Sequence, residues 1–361
     1  MRAVIVISGG VVLRRRPLLA VPAQDSATVG QLVGIARERS ALIPSRHFNA
    51  LSLHPYLPEI TKTSHEAAKL GAEHHWYRSL PADLRSFAPR VLLFTVDGDM
   101  ASLRLEYFGY GSLAEKLVYY HLSEDVWTSI LASLLGIVQR FRAHRADHAV
   151  DVCLKAMYGE KTVSRLDALR LQDPIWNRLL DAPRITINGE SVAGLPALHE
   201  FFERRVDDLV ASDEITVVHG DLCFNNVLYD LVTKDVKLID PRGAFGGGGR
   251  TIYGDPRYDV AKLRHSYCGG YDQIVAGSYR LADEGDLAFR FSLHCDRRVQ
   301  RGRRFDDVVA RFGYSVSDLR LIEALLFLSM LPLHRDSLQK QLALFVTAIS
   351  RLNGCFREDP E

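Results

Sequence analysis

The hydrophobic and polar positions of the chain fall into two patterns. From about residue 45 to 105, short apolar runs surround a single helical stretch. The runs 91–96 and 103–107 predict two antiparallel strands, because residues 97–99 between them read Asp-Gly-Asp, a good turn sequence. Residues 60–64 predict a strand end, and the apolar spacing within 66–77 predicts a helix.

From residue 123 the pattern becomes helical. Ser123, followed by two acidic residues, is typical of a helix start, and helical spacing continues to about residue 144. Further helices are predicted at 196–211, 256–267, 272–282, 286–301, 305–312 and 316–352, the last with breaks. A β-rich part followed by a helical part predicts an α+β chain with a small N-lobe over 41–112 and a larger C-lobe over 113–361.

Residues 1–40 do not fit this division and are interpreted as an N-terminal extension. Residues 3–7 predict a buried strand, and the arginines at 14–16 directly after the apolar run argue against a signal peptide. A second interpretation is that residues 1–40 are a remnant of a sugar nucleotidyltransferase, because such an enzyme also starts with a strand and a glycine-rich turn. Two glycines at 9–10 are too few to indicate a phosphate cradle.

Composition excludes several classes of function. The chain has 361 residues, is 47% hydrophobic and 25% charged, and carries a net charge of +1. A charge this small provides no field that would attract nucleic acid or an anionic membrane, and no apolar run reaches the length of a membrane span. The five cysteines are far apart, which argues against a zinc site or a disulfide framework and fits a reducing cytoplasm.

The strongest chemical signal is the segment His219-Gly-Asp221-Leu-Cys-Phe-Asn-Asn226. It follows one apolar run, 215–218, and Asp240 ends a second run, 236–239. A short hairpin that closes the loop would bring the side chains of Asp221, Asn226 and Asp240 to one point. A carboxylate there can accept a proton from an attacking hydroxyl, while an amide and a second carboxylate hold Mg²⁺ against the phosphates of a nucleotide.

This segment resembles the catalytic loop of the aminoglycoside phosphotransferase and choline kinase family, which reads His-Gly-Asp-x-x-x-x-Asn. The family's metal motif is Ile-Asp, as at Asp240, and residues 253–261 (Tyr-Gly-Asp-Pro-Arg-Tyr-Asp-Val-Ala) resemble its Gly-Asp-Pro-x-Tyr-Asp-Leu-Ala segment. Uncharacterised phosphotransferases linked to surface-polysaccharide biosynthesis are also similar. The resemblance is strong over 215–265, fair over 45–120 and absent over 1–40. It implies a bilobal, protein-kinase-like fold.

The resemblance also implies roles for individual residues. Asp221 would be the catalytic base, and Asn226 and Asp240 would hold Mg²⁺. His219 would support the catalytic loop through hydrogen bonds, and Asp259 would buttress it. Three interpretations of Arg242 stay open: it stabilises the transferred charge, binds an acidic acceptor, or forms a salt bridge with a nearby carboxylate, Asp255 or Asp259.

The nucleotide is expected to be ATP, with GTP possible. Lys62 is the candidate to hold the α- and β-phosphates. Glu73 is preferred over Glu66 as its ion-pair partner, because residues 69–77 resemble the family's third helix, in which a glutamate pairs with that lysine. Glu106 and Phe108 lie where backbone groups of the hinge would bind adenine. No glycine-rich loop precedes Lys62, so residues 41–49, with Ser45, Asn49 and backbone amides, would have to cover the phosphates.

The acceptor is expected to be a small molecule with a hydroxyl group. Lys161 and Arg165 lie four residues apart and would share a helix face suited to a phosphorylated or acidic sugar; an exposed face explains them equally well. The glycine run 246–249 predicts a loop that admits substrate. A sugar or polysaccharide-precursor kinase is the first interpretation; an aminoglycoside or choline-type kinase and a non-catalytic pseudokinase are the alternatives. The oligomeric state stays open.

Overall fold

The computed structural model describes residues 49–146, 154–211, 214–245, 249–294 and 296–358. The predicted strand at 3–7, the extension 1–40, Ser45 and residues 246–248 of the glycine run lie outside the described residues. The strands are β1 Asn49–Leu53, β2 Glu59–Ser64, β3 Val91–Asp97, β4 Met100–Glu106, β5 Arg184–Ile187, β6 Glu190–Ala193, β7 Thr216–Val217, β8 Val227–Tyr229, β9 Val236–Leu238, β10 Tyr253–Gly254, β11 Tyr279–Gly285 and β12 Ala288–Leu293.

Helices dominate the part of the chain after residue 112. The α-helices are α1 Ala67–Ser79, α2 Leu113–Tyr119, α3 Glu124–Arg142, α4 Lys161–Arg170, α5 Ile175–Leu180, α6 His199–Val210, α7 Pro256–Tyr267, α8 Tyr271–Val275, α9 Arg298–Ala310, α10 Val316–Met330 and α11 Leu338–Glu358. Shorter helical turns lie at Arg85–Phe87, Ala156–Glu160, Pro196–Leu198, Phe224–Asn226 and Leu331–His334.

The N-lobe is an antiparallel sheet with the strand order β1-β2-β4-β3 and with α1 on one face. Strand β4 buries Ala101, Leu103 and Leu105, which is the alternation expected of a sheet with one covered face. Asp97 pairs with Met100 across the turn, so the hairpin predicted around 97–99 is confirmed. The predicted strand at 60–64 and the helix at 66–77 correspond to β2 and α1.

In the C-lobe, α7 is buried along nearly its whole length and packs against α10. The Asp255 side chain caps its N-terminus by accepting the Arg257 N–H at 2.8 Å, and Pro256 occupies the first turn. The helix predicted from Ser123 is also confirmed, since the Ser123 side chain accepts the Val126 N–H at 3.4 Å.

Two predicted helices are wrong over most of their length. The helix predicted at 272–282 ends at Val275 and the one predicted at 286–301 begins at Arg298; between them lie strands β11 and β12, which join β5 and β6 in a sheet of order β11-β12-β5-β6. Phe289, Phe291 and Leu293 alternate with polar residues and are buried, which is a period of two. The predicted helix at 305–312 is part of the longer helix α9, Arg298–Ala310.

The predicted α+β architecture is confirmed, with a small β-sheet N-lobe and a larger, mainly helical C-lobe. None of the helices in the described segments is long and apolar enough to cross a membrane.

Candidate active site

The β8–β9 hairpin brings the two halves of the sequence motif together. Val227 pairs with Leu238, and the Ile239 N–H donates to the Asn226 carbonyl at 3.0 Å. Asn226, at the end of the catalytic loop, therefore lies directly opposite Ile239, the residue that precedes Asp240. The predicted hairpin that closes the catalytic loop is confirmed, and it explains why residues fourteen positions apart in sequence share one site. Its first strand is β8, whereas the apolar run at 215–218 contains β7, which pairs with β10.

Asp221 is held by two polar side chains. The Asn226 amide nitrogen donates to the Asp221 carbonyl at 2.8 Å and to its carboxylate Oδ2 at 3.2 Å. The Lys262 ammonium lies 2.8 Å from the other carboxylate oxygen, Oδ1. The Asp221 side chain is 13% exposed, so it is partly accessible to solvent while these two contacts fix its orientation.

The oxygen atoms of Asn226 and Asp240 suit a hard divalent cation. The Asn226 amide nitrogen is used within the loop, and its oxygen Oδ1 accepts no hydrogen bond from the described residues. The Asp240 side chain is 42% exposed. Mg²⁺ prefers oxygen ligands and usually takes only one or two carboxylates together with waters and phosphates. No group of three or more His, Cys, Asp or Glu in the described segments could hold a metal alone, so phosphates would have to complete such a site.

His219 and Asp259 hold the catalytic loop in place. The His219 and Gly220 backbone amides donate to the two oxygens of Asp259 at 2.6 and 2.8 Å. The His219 ring contacts the Ile239 carbonyl through Nε2 at 3.0 Å and the Asp221 N–H through Nδ1 at 3.3 Å. Burial lowers the pKa of His219 to about 4, so the ring is neutral, with its proton on Nε2. The supporting contacts predicted for both residues are present.

Lys62, on strand β2, links the N-lobe sheet to Asp240 of the candidate site. Its ammonium lies 2.6 Å from Glu73 on α1 and also contacts Asp240. Although burial opposes the charge, these two carboxylates hold the pKa of Lys62 above its ordinary value. The predicted pairing with Glu73 is confirmed; Glu66 instead pairs with Lys69, at 2.9 Å.

The loop after Asp240 packs directly against α1. Asp240 has a φ of 60°, an uncommon left-handed conformation for a residue other than glycine and one that clusters at functional sites. Its N–H donates to the Tyr77 hydroxyl at 3.2 Å. Gly243 has a φ of 64°, and a Cβ there would lie 2.0 Å from the Ala72 carbonyl oxygen. Only glycine allows this approach of the two backbones.

The linker after β4 contains backbone groups that form no hydrogen bond within the described part of the chain. Neither the N–H nor the carbonyl of Phe108 forms a hydrogen bond within the described part of the chain, and the Lys237 ammonium lies 5.1 Å from the centre of its ring. The Glu106 side chain accepts hydrogen bonds from Arg90 at 3.2 and 3.3 Å. The Glu106 N–H donates to the Arg90 carbonyl at 3.0 Å, so the side chain and the N–H of Glu106 are both used within the N-lobe.

A cleft of about 320 Å³ opens between α4 and the loop after Asp240. Its lining residues are Ala156, Met157, Glu160, Lys161, Ser164, Arg242 and Phe245. The Lys161 ammonium donates to the Tyr258 hydroxyl at 3.1 Å, and the Arg242 guanidinium lies 5.5 Å from the centre of the Tyr258 ring. Both cations therefore meet on one aromatic ring.

The structure bears on two predictions from the sequence, the roles of Arg242 and Arg165. Asp255 forms its ion pair with Arg257 at 2.6 Å, and Asp259 accepts the loop amides. Arg242 lines the cleft, and its charge also acts on Asp259, so a role toward the acceptor and an interaction with this carboxylate both stay open. Arg165 does not line the cleft, and its guanidinium donates to the Ser329 carbonyl at 2.6 Å. Arg165 is therefore better explained as a tie between α4 and α10 than as an acceptor contact.

Sequence reasoning missed Lys262. Its side chain is 3% exposed, and the Asp221 carboxylate keeps its pKa above the ordinary value despite burial. The available signal was helical spacing, since Lys262 follows Asp259 by three residues and so lies on the helix face that meets the catalytic loop.

Comparison with known proteins gives a family assignment. The APH model, described as the phosphotransferase enzyme family, matches residues 49–291. No curated protein matches the chain.

Among solved structures, a thermostable mutant of the aminoglycoside phosphotransferase APH(4)-Ia in its apo form is similar, with 14% identity over 83% of this chain and 87% of that one and a TM-score of 0.47. A glucosamine kinase in complex with glucosamine, ADP and inorganic phosphate has 14% identity over 84% and 78%, with a TM-score of 0.48. A putative fructosamine-3-kinase from Haemophilus somnus 129PT has 11% identity over 85% and 88%, with a TM-score of 0.48. Because these TM-scores lie below 0.5, the assignment rests on the family model, which covers most of the chain: this protein belongs to the phosphotransferase enzyme family.

Proposed function

We propose that this protein transfers the γ-phosphate of ATP to a hydroxyl group of a small molecule, with a sugar or polysaccharide precursor as the preferred class. The observation that carries the proposal is the convergence of Asp221, Asn226 and Asp240 at the start and end of the β8–β9 hairpin, with Lys62 in contact with Asp240. The family match supports phosphoryl transfer; the choice of nucleotide and acceptor belongs to the proposal.

Nucleotide binding would use both lobes. The backbone of the Glu106–Phe108 linker would receive the adenine edge, and Lys62 would contact the α- and β-phosphates. Glu73 holds the ammonium in place, so little side-chain freedom would be lost when a phosphate binds. Asn226 and Asp240 would hold Mg²⁺, which supplies neutralisation of phosphate charge when it is bound.

Asp221 would act on the acceptor. Its carboxylate would accept the proton of the hydroxyl as the acceptor oxygen forms a bond to the γ-phosphorus and the bond from that phosphorus to the β,γ-bridging oxygen breaks, releasing ADP. Such reactions depend mainly on positioning and electrostatics. Asn226 and Lys262, which fix the two carboxylate oxygens of Asp221, would supply the positioning.

A transfer assay tests this function directly. The full chain is incubated with ATP, Mg²⁺ and a panel of sugars, sugar phosphates, uronic acids, amino alcohols and aminoglycosides, and mass spectrometry detects products that have gained one phosphoryl group. We expect transfer to at least one hydroxyl compound, and a rate about 10²–10⁴-fold lower with Asp221→Asn. A protein that binds Mg²⁺ and ATP, as judged by thermal shift, but phosphorylates nothing in the panel would instead support the non-catalytic alternative.

A further inference from the structure

We infer that the acceptor of this enzyme carries an anionic group, a carboxylate or a phosphate, which binds between Lys161 and Arg242 in the cleft beside the catalytic loop. The inference rests on the proposed function, because it names the class of molecule that receives the phosphoryl group.

The first argument is position. Arg242 follows Asp240 by two residues, and its N–H donates to the His219 carbonyl at 3.0 Å. A Cβ on Gly220, the residue before Asp221, would lie 2.9 Å from Arg242 Cβ and 2.2 Å from the Phe245 ring. The wall of the 320 Å³ cleft is thus the outer side of the catalytic loop, and a molecule of sugar size fits this volume.

The second argument is charge. Three cations surround the buried ring of Tyr258, with Lys161, Arg242 and Lys262 at 5.4, 5.5 and 6.0 Å from its centre. Lys262 is neutralised by Asp221. Lys161 has no carboxylate within ion-pairing distance among the described residues. Of the residues that line the cleft, Glu160 is the carboxylate, and it is exposed at the rim.

The third argument is energetic. Burial and the nearby Arg242 lower the pKa of Lys161 to about 7, so its charge is held at a cost in free energy. An anion between Lys161 and Arg242 would offset that cost, whereas a cationic acceptor would add to it. Charged groups kept in unfavourable surroundings inside a cleft are typical of ligand sites. The same positive charge disfavours aminoglycosides as acceptors.

A binding experiment tests the site without knowledge of the natural acceptor. The full chain is first saturated with AMP-PNP and Mg²⁺, so that the place of the nucleotide phosphates is taken, and is then titrated with inorganic phosphate in a calorimeter. We expect phosphate to bind, Lys161→Met to weaken its binding at least tenfold, and Lys161→Arg to restore most of it. Lys155→Met removes an exposed lysine six residues earlier in the chain and should change nothing.

A kinetic experiment identifies the anion. In the transfer assay, glucose, glucosamine, glucuronate and glucose 6-phosphate are compared as acceptors. We expect kcat/KM for at least one of the two anionic sugars to exceed that for glucose more than tenfold, and Lys161→Met to abolish this preference. The sugar that is preferred distinguishes a carboxylate from a phosphate.

The outcomes separate this inference from the proposed function. Absence of phosphate binding in the wild-type protein, or phosphate binding that Lys161→Met leaves unchanged, overturns the anion site even if phosphoryl transfer is observed. Failure of AMP-PNP to bind overturns the proposed function, and the phosphate titration of the nucleotide-free protein still decides on the anion site. A native melting transition for Lys161→Met excludes misfolding as the cause of a loss.

Discussion

The ammonium of Lys262 lies 2.8 Å from carboxylate oxygen Oδ1 of Asp221, with both groups largely shielded from water. This contact joins the middle of α7 to the catalytic loop from behind. In the proposed mechanism, the Lys262 contact leaves the other side of the Asp221 carboxylate accessible to the acceptor. Lys262 is thus a positioning residue, acting through Asp221.

Replacement of Lys262 by methionine is expected to lower kcat by about 100-fold, the size of effect that a small misplacement of a reacting group produces. The nucleotide affinity should stay within twofold, because Lys262 does not contact Lys62 or Asp240. Steady-state kinetics and calorimetric nucleotide binding measure the two effects. Lys69→Met, at an exposed position on α1, is the control, and equal losses of kcat and nucleotide affinity in Lys262→Met would show a merely structural role.

Asp221→Asn is expected to reduce kcat by about 10²–10⁴-fold, the usual contribution of a general base. Nucleotide binding should persist, since the asparagine keeps the shape of the side chain and leaves Lys62 and Asp240 in place. Single-turnover transfer and binding of AMP-PNP check the two halves of this prediction. Wild-type turnover in this variant would remove Asp221 from the proposed mechanism.

Asp240→Asn should act on binding as well as on turnover. The carboxylate is the charged ligand proposed for Mg²⁺. Loss of a residue that only supports a ligand reduces metal affinity by about 10–100-fold, and loss of the ligand itself should cost at least as much. We expect AMP-PNP to bind equally weakly with and without Mg²⁺ in this variant, whereas Mg²⁺ strengthens binding in the wild type. Calorimetry with and without a chelator measures the difference; a retained dependence on Mg²⁺ would argue against Asp240 as a ligand.

Gly243→Ala is expected to destabilise the protein through the contact with Ala72. The left-handed backbone costs a residue with a Cβ about 1–2 kcal/mol, and the clash with the Ala72 carbonyl oxygen adds about 1–3 kcal/mol. Gly313→Ala provides the matched control, because Gly313 has a φ of 76° with no atom within 4 Å of a new Cβ. Denaturant unfolding of both variants isolates the clash, and equal losses would show that no close approach exists.

The affinity for an anionic acceptor should fall as the pH rises from 6 to 9. Lys161, whose pKa burial lowers to about 7, loses its positive charge over this range. Although burial disfavours the phenolate, Arg242, Lys161 and Lys262 lower the pKa of Tyr258 to about 7, so this residue gains a negative charge. Both changes make the site less positive, while Arg242 and the nearby Arg165 stay charged.

Glucuronate is the suitable probe for this pH dependence, because its carboxylate stays ionised throughout the range, whereas the second ionisation of a phosphate falls near pH 6. Calorimetric titration at several pH values should show weakening in the wild type and a flatter dependence in Lys161→Met. A constant affinity in the wild type would exclude Lys161 as the titrating group.

The catalytic loop could be predicted because its geometry is local. Asp221 and Asn226 lie on one loop, and a short hairpin returns the chain to Asp240, so spacing alone nearly fixes their proximity. Strand β2 and helix α1 are also consecutive in the chain. The candidates for the ion-pair partner of Lys62 were therefore limited to two acidic residues, Glu66 and Glu73.

Contacts between distant segments could not be predicted in the same way. Lys262 reaches Asp221 from another element, and its partner depends on how α7 is rotated inside the lobe. The strands at 279–293 contain apolar residues whose spacing also suits a helix, and pairing of β12 with β5, about a hundred residues earlier, decides between the two structures. Arg165 follows Lys161 by four residues on α4, as the prediction of a shared helix face required. Its guanidinium, however, donates to the Ser329 carbonyl on α10, a contact that the sequence does not indicate.

The attachment of α1 has a consequence for control of this enzyme. The Trp76 indole donates to the Val218 carbonyl at 2.7 Å, and the Tyr77 hydroxyl accepts the Asp240 N–H. In protein kinases the corresponding helix is a movable part that activation brings into place. Here two hydrogen bonds fasten the helix to the catalytic half of the molecule, and the Glu73 carboxylate lies 2.6 Å from the Lys62 ammonium. Activity would then respond to the supply of nucleotide and acceptor, without an on–off transition of the fold.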